Sequence, residues 1–365
     1  MLKQRQLEEN FIAMSRQKIA IVPGDPSGIG PEIVAKLLTQ DGVKDAADIL
    51  LIGDSHLWER GAKQANTEIE LATITEDQTA HFTGCAHLNM HSIDPKDVKV
   101  AKVTVASGTS ALRCLDKAMD LAVAGHVDCI LFAPFNKAAM TSAGLKAEDE
   151  HRYMARYLGF RGYHSEINVL DDLMTTRVTS HIGLKDVAAN IDEQGILRAV
   201  QLAEQTLRRA GKTRPSIAVA ALNPHAGDNG KFGREEIDII EPAIRFCQSK
   251  QINVSGPWPS DTVFLKAKRG EVDAVVTMYH DQGQIAIKLL GFERGVTVAG
   301  GLPLPIATPA HGTAFDIAGQ NQANASAIRQ AFDLLLRMAK THSETSERRS
   351  KSDPIYAEGN NSVTW

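Results

Sequence analysis

The sequence predicts an α/β protein of two interleaved α/β/α domains with an active-site cleft between them. Three observations carry this expectation. Short apolar runs alternate with segments of helical period for most of the length, the pattern of a largely parallel sheet with helices on its faces. The 365 residues exceed one ordinary domain, and a hydrophobic content of 43% supplies a sizeable core. Neither an internal repeat nor a low-complexity linker divides the chain, so the domains interleave instead of meeting at one boundary. We place the crossings near residues 140 and 300. Residues 17–140 and 300–340 then form the first domain, and 141–299 the second.

The elements follow in order. Ile19–Val22 is a short apolar strand, and Pro31–Leu38 a helix with proline in its first turn. Ala47–Gly53 is the next strand and Ser55–Ala65 the helix after it. Ser110–Ala124 carries Ala111, Leu112, Leu115, Ala118, Met119, Leu121 and Ala122 at helical spacing. Cys129–Ala133 is a strand, and Met154–Leu158 lies in a helix. Buried strands are expected at Ile167–Leu170, Arg177–Val178, Ile217–Leu222 and Ala274–Met278. Ile196–Ala210 and Glu235–Gln248 are amphipathic helices, each ahead of a β-rich segment. Asn324–Ala339 closes the fold as a helix.

A net charge of −4, with no basic stripe and no interleaved aromatics, gives no support to nucleic-acid or membrane-surface binding. No apolar run approaches the roughly 20 residues of a membrane span. Cys85, Cys114, Cys129 and Cys247 are scattered without a Cys-x-x-Cys pair, which reads as a reducing compartment. Residues 1–16 are a mixed polar extension without the apolar heart of a signal peptide, and 341–365 a polar tail expected to be disordered. The expected location is the cytoplasm.

Chemistry begins with three histidines at the ends of expected strands. His280 lies in Met278-Tyr-His-Asp-Gln-Gly283, His181 in Thr179-Ser-His-Ile-Gly-Leu-Lys185, and His225 in Leu222-Asn-Pro-His-Ala-Gly-Asp228. In an α/β sheet such ends line the ligand crevice. Neutral imidazole is a common ligand of divalent transition metals, and three protein ligands leave a position open for substrate. Each histidine alone reads more readily as structural; the three together point to a metal site.

Four further segments join them. Gly24-Asp-Pro-Ser-Gly-Ile-Gly-Pro-Glu32 follows a strand and opens a helix, and serves either an anion or a tight turn; it is neither a Walker loop nor Gly-x-Gly-x-x-Gly. Asp25 and Glu32 serve equally as cap and first-turn residues. Lys137, in Ala133-Pro-Phe-Asn-Lys137, offers a cation or an acid/base at a strand end, or is a solvated loop lysine. Asp261 is either a partner orienting a histidine ligand or a turn cap. Lys288, eight positions after His280, stands on the helix or turn leaving that site. His311-Gly-Thr-Ala-Phe-Asp-Ile-Ala-Gly319 offers close backbone approach for an adenine ring at Gly312 and an acceptor at Asp316, or is simply a glycine-punctuated loop.

Together these segments resemble the 4-hydroxythreonine-4-phosphate dehydrogenase family of vitamin B6 biosynthesis, over about Lys18 to Leu336. Gly24–Glu32, Ala133–Lys137, Leu222–Gly227, Met278–Gly283 and His311–Gly319 match in order. The resemblance implies an isocitrate/isopropylmalate dehydrogenase-like fold, with the cofactor on the first domain and the metal and dimer contacts on the second. It implies a homodimer in which His181, His225 and His280 bind a divalent metal (Zn, Mg, Co or Mn), His280 coming from the neighbouring subunit. Lys137, Asp261 and Lys288 match catalytic positions near the substrate. Gly301, His311, Gly312, Thr313 and Asp316 match the NAD- or NADP-binding loop. The implied chemistry is oxidation of a secondary alcohol in a 3-hydroxy acid, followed by decarboxylation.

The chain departs from the family where substrate phosphate binds. The family's Gly-His-Thr or Gly-His-Ser becomes Glu150-His151-Arg152, and the substrate-binding candidates are His151, Arg152, Lys288 and Thr297. Thr297 and Ile306 replace an asparagine and an arginine. Isoleucine cannot supply the paired hydrogen bonds of a guanidinium to phosphate oxygens, whereas Arg152 could bring charge from another direction. The reaction type therefore reads more firmly than the substrate. A four-carbon sugar-acid phosphate and an unphosphorylated dihydrodiol dicarboxylate are the alternatives. A non-catalytic nucleotide- or metal-binding protein is the alternative of another class, set apart by failure to bind NAD or NADP with metal present.

Overall fold

The computed structural model describes residues 16–352. Its strands are β1 (Gln17–Val22), β2 (Ala47–Ile52), β3 (Ala72–Ile74), β4 (Cys85–Leu88), β5 (Cys129–Phe132), β6 (Ser165–Leu170), β7 (Leu173–Arg177), β8 (Ile217–Ala220), β9 (Val254–Trp258), β10 (Ala274–Thr277), β11 (Val296–Gly300) and β12 (Ile306–Pro309). They join into one twelve-stranded sheet in the order β3-β4-β2-β1-β5-β12-β11-β6-β7-β10-β8-β9. The β12–β11, β11–β6 and β6–β7 pairings are antiparallel, and the others are parallel. The fold is thus α/β with a large mixed sheet. Two parallel groups run in opposite directions on either side of the antiparallel centre.

The helices used below are α1 (Gly30–Leu38), α2 (Ser55–Gln64), α3 (Val105–Val123), α4 (Lys137–Ser142), α5 (Glu150–Tyr157), α6 (Glu193–Arg209), α7 (Glu241–Ser249), α8 (Val263–Lys268), α9 (His280–Gly291) and α10 (Ser326–Ser352). Along β1, Ile19 and Ile21 enter one core while Ala20 and Val22 enter another, so helices cover both faces. The first core packs Ile33 and Leu37 of α1 with Phe332 and Leu335 of α10. The second packs Leu115 and Met119 of α3. Double burial explains why the strands read as continuous apolar runs without alternation. Each such Ile or Leu contributes about 1.5–3 kcal/mol.

Several boundaries differ from expectation; the strand expected at Arg177–Val178, for one, is Leu173–Arg177. Helix α3 begins at Val105, because Thr104 Oγ1 accepts from Ser107 N at 3.0 Å and caps it. The expected helix at Glu235–Gln248 opens as a π turn, Glu236–Ile240, ahead of α7. Pro242 lacks an N–H and crowds the turn before it, which the wider turn relieves. Strands β11 and β12 escape sequence reading because Gly300, Gly301, Pro303, Pro305 and Pro309 crowd them. Helix α10 continues past Ala339 to Ser352, so the expected free tail begins in helical backbone; residues 1–15 and 353–365 of the two expected tails lie outside the described residues. No described helix is long and apolar enough to cross a membrane.

Candidate active site

A cavity of about 280 Å³ opens where β5, β6, β11, β12 and α9 converge. That is close to the lower end of the roughly 300–1,000 Å³ typical of small-molecule sites. It gathers six of the residues expected from sequence: Lys137, His280, Lys288, Thr297, His311 and Gly312. His280, Gln284, Ile287 and Lys288 all line it, the i, i+4, i+7, i+8 face of α9. Lys137 enters from the first turn of α4, which Asn136 caps through its side-chain oxygen to Ala139 N at 3.0 Å. Its ammonium stands 3.8 Å from Glu150 Oε2.

The opposite wall is polar in register. Asn168 of β6 pairs with Thr297 of β11, and Thr297 with Thr308 of β12. All three line the cavity, and Glu166, two residues before Asn168, lines it too. Thr297 Oγ1 reaches Asn168 Oδ1 at 3.4 Å. Thr308 is 6% exposed, and its hydroxyl is buried with no hydrogen-bond partner.

Glu166 is held from behind. The buried Arg177 donates Nη2 to Glu166 Oε2 at 2.5 Å, and His151 Nδ1 lies 3.5 Å from Oε1. Burial pushes the Glu166 carboxyl up, but the pull of His151 and Arg177 outweighs it and holds the group below its ordinary value. Arg177 Nε also donates to Ser180 Oγ at 2.9 Å, beside His181. Sequence reading missed Glu150, Glu166, Asn168 and Thr308. The alternation of Glu166 and Asn168 in an otherwise apolar strand was the available signal, lost when that strand was started at Ile167.

His181 and His225 sit on loops, and His280 opens α9. After β7, Val178 N donates to Thr277 O at 2.9 Å and Thr179 N to Met278 O at 3.1 Å, which clamps the His181 loop onto the end of β10. The His181 and His280 rings stand 5.9 Å apart, centroid to centroid, and line a second cavity. His280 Nδ1 pairs with Asp281 Oδ1 at 2.7 Å, leaving Nε2 as the free ring nitrogen. His225 lines neither cavity and packs near Phe232. Its loop is left-handed throughout: His225, Ala226, Gly227, Asp228, Asn229 and Gly230 all have positive φ. Such backbone costs L-residues about 1–2 kcal/mol each. The buried Glu236 supports it, accepting from Leu222 N at 2.8 Å, Asn223 N at 2.7 Å and Asn223 Nδ2 at 2.9 Å. Imidazoles with a carboxylate-fixed tautomer suit a divalent metal, yet among the described residues no group of three His, Cys, Asp or Glu could hold one. His181, His225 and His280 are thus not gathered into one group among the described residues.

Other expected residues fall elsewhere. Arg152 is exposed, paired with Glu148 at 2.5 Å, and does not line the cavity. Ile306 is fully buried in the apolar core. Asp261 is exposed in the loop between β9 and α8. Gly301 serves packing, since a Cβ there would meet Tyr163 O at 2.4 Å. Thr313 O accepts from Ile29 N at 3.1 Å, joining the His311–Gly319 loop to the glycine cluster, while Asp316 is exposed. In that cluster the N–H groups of Ser27, Gly28 and Ile29 are all spent within the protein, so the tight-turn reading accounts for them. Asp25 accepts from Ser27 N at 2.7 Å, and burial pushes its carboxyl up to about 6. Burial likewise lowers the His311 imidazole.

A cavity of this size, lined by lysines, carboxylates and histidines on an α/β sheet, has the character of a small-molecule enzyme's site. The family described as "Pyridoxal phosphate biosynthetic protein PdxA" matches residues 45–335, and the chain belongs to that family. The chain is 47% identical to "Putative 4-hydroxythreonine-4-phosphate dehydrogenase 2" of Rhizobium meliloti, over 89% of this chain and 94% of that protein. It is 38% identical to D-threonate 4-phosphate dehydrogenase of Salmonella typhimurium, over 89% of this chain and all of that one (100%). Among solved structures, 4-hydroxythreonine-4-phosphate dehydrogenase from Klebsiella pneumoniae matches with a TM-score of 0.78 at 35% identity, covering 89% of this chain and 98% of that one. The family membership makes the chain a dehydrogenase.

Proposed function

We propose that the protein is a divalent-metal-dependent, NAD(P)-linked dehydrogenase that oxidises the secondary alcohol of a four-carbon 3-hydroxy acid, with decarboxylation following, in the cytoplasm. What carries this reading is the convergence of Lys137, His280, Lys288, Thr297 and His311 from separate segments on one cavity, in a chain of this family. Lys137 and Lys288 face a bound acid from different helices, one to hold its carboxylate and one to take the hydroxyl proton. Asp261 stands off this cavity and leaves that work to the lysines. Glu166, Asn168 and Thr297 orient the substrate. Gly301 and the loop of His311, Gly312, Thr313 and Asp316 would hold NAD or NADP, which would supply the hydride acceptor. A divalent cation held by His181, His225 and His280 would lower the pKa of the substrate hydroxyl.

The histidine set is completed across a homodimer in this reading, with residues 141–299 as the metal and dimer side. Ile182, Leu184, Phe232 and Leu289 are exposed apolar side chains on the histidine loops and α9, as an interface there requires. Mixing His225→Ala and His280→Ala subunits tests this for a site that takes His225 and His280 from different subunits. A shared site recovers about a quarter of wild-type activity from random pairing, and a site within one chain recovers none.

The substrate test is NAD and NADP reduction with 4-phosphohydroxy-L-threonine, with D-threonate 4-phosphate and with an unphosphorylated dihydrodiol dicarboxylate, each with chelator and with added metal. The buried Ile306 and the neutral Thr297 suit the unphosphorylated dicarboxylate better than either phosphate ester. Metal-dependent turnover of any of them supports the reading. Cofactor binding without turnover of any of them marks a changed substrate, and failure to bind NAD or NADP with metal present favours a non-catalytic binding protein.

A further inference from the structure

We propose that the in-register row Asn168–Thr297–Thr308, with Glu166 beside it, reads the hydroxyl groups flanking the reacting carbon of a polyhydroxylated acid, and that Thr308 is its specificity-determining residue. The inference rests on the dehydrogenase reading for its reaction, but on the wall of the cavity for its content. Thr308 is 6% exposed, lines the cavity, and carries a buried hydroxyl with no partner. A buried hydroxyl left unpaired costs stability, and a ligand that pairs it recovers that cost on binding. Its neighbours across the strands are matched to the same task. Thr297 spends its hydroxyl only on a long contact to Asn168 Oδ1, at 3.4 Å. Hydroxyls both donate and accept, as do threonine and asparagine side chains.

An anionic group fits this wall poorly. Glu166 faces the same cavity from β6, two residues from Asn168, and Arg177 and His151 hold it from behind. A phosphate there would meet a carboxylate. Ile306, which opens the strand that carries Thr308, is buried among apolar side chains and offers an anion no partner. Substrate anions therefore fit best beside Lys137 and Lys288, which also line the cavity, and neutral hydroxyls fit the wall. A hydroxyl on the carbon next to the reacting one can donate to Glu166 and accept from Thr308.

The experiment is calorimetric binding of 2,3,4-trihydroxybutanoate, its 4-phosphate, its 2-amino counterpart and 3-hydroxybutanoate to the full chain, with NAD(P) reduction run in parallel. Wild type should prefer the trihydroxy acid to 3-hydroxybutanoate. Thr308→Val, which keeps shape and removes the hydroxyl, should weaken the trihydroxy acid about tenfold and leave 3-hydroxybutanoate unchanged. Thr308→Ser should stay within about twofold of wild type. Equal weakening of both acids in Thr308→Val, no weakening of either, or no binding at all overturns the row. Tighter binding of the 2-amino counterpart than of the trihydroxy acid overturns the substrate class. Discrimination without NAD(P) reduction by any acid keeps the row and rejects the dehydrogenase reading. Turnover without discrimination rejects the row alone.

Discussion

The cavity wall and the histidine edge are built on opposite principles. Asn168, Thr297 and Thr308 stand on three adjacent strands, placed by backbone register and complete within one chain. His181 and His225 are exposed, both in left-handed backbone, on loops that other groups must hold in shape. The wall needs only the sheet to exist. The histidine edge needs Glu236 beneath one loop and the end of β10 beneath another. A sheet fixes specificity cheaply, whereas an exposed ligand loop must be strained and braced.

Four substitutions test that contrast, from the largest effect to the smallest. His225→Ala should abolish metal-dependent turnover and lower metal affinity more than about 100-fold, beyond the range seen for outer partners of a ligand. Equilibrium dialysis measures it, and unchanged affinity would remove His225 from the set. Glu236→Ala should cost about 3 kcal/mol in urea unfolding, since it orphans several buried donors around Asn223. Metal affinity should fall with it by about 10–100-fold. A stable variant with intact affinity would show that the loop holds its shape unaided.

The third concerns the glycine cluster. Asp25 titrates at about 6 in the folded chain against an ordinary 3.8. A raised folded value means stability is fully present below about pH 4 and is lost as pH rises through 6, a change of about 3 kcal/mol at most. The urea midpoint should therefore fall between pH 4 and 6.5 in wild type and stay flatter in Asp25→Asn. Equal slopes would place the titration elsewhere. The smallest effect is expected at Arg152→Ala, which breaks an exposed i,i+4 pair with Glu148 worth about 0.5 kcal/mol. KM should not move, because Arg152 lies outside the cavity; a large rise in KM would return it to the substrate.

Much of this was legible in the sequence, unevenly. The doubly covered strands announced themselves, because burial on both faces leaves nothing but apolar residues. Lys137, His280 and Lys288 could be placed by their position after strands and along one helix face. The wall could not. Thr308 sits in a proline-rich segment, Ile306–Pro309, that does not read as a strand, and its meaning appears only when β11 lies beside it. Arg152 misled for the reverse reason. A new charge at a substrate position invites a role, yet on α5 its nearest opposite charge is Glu148, one turn back.

The backbone from His225 to Gly230 turns with the handedness natural to D-amino acids. Ala226, at φ 53°, therefore occupies the mirror image of its own preferred basin. A chain assembled by chemical ligation with D-alanine at 226 would find there the conformation that L-alanine must be forced into. This loop is thus a place where the opposite enantiomer would fit the protein better than the one the ribosome supplies.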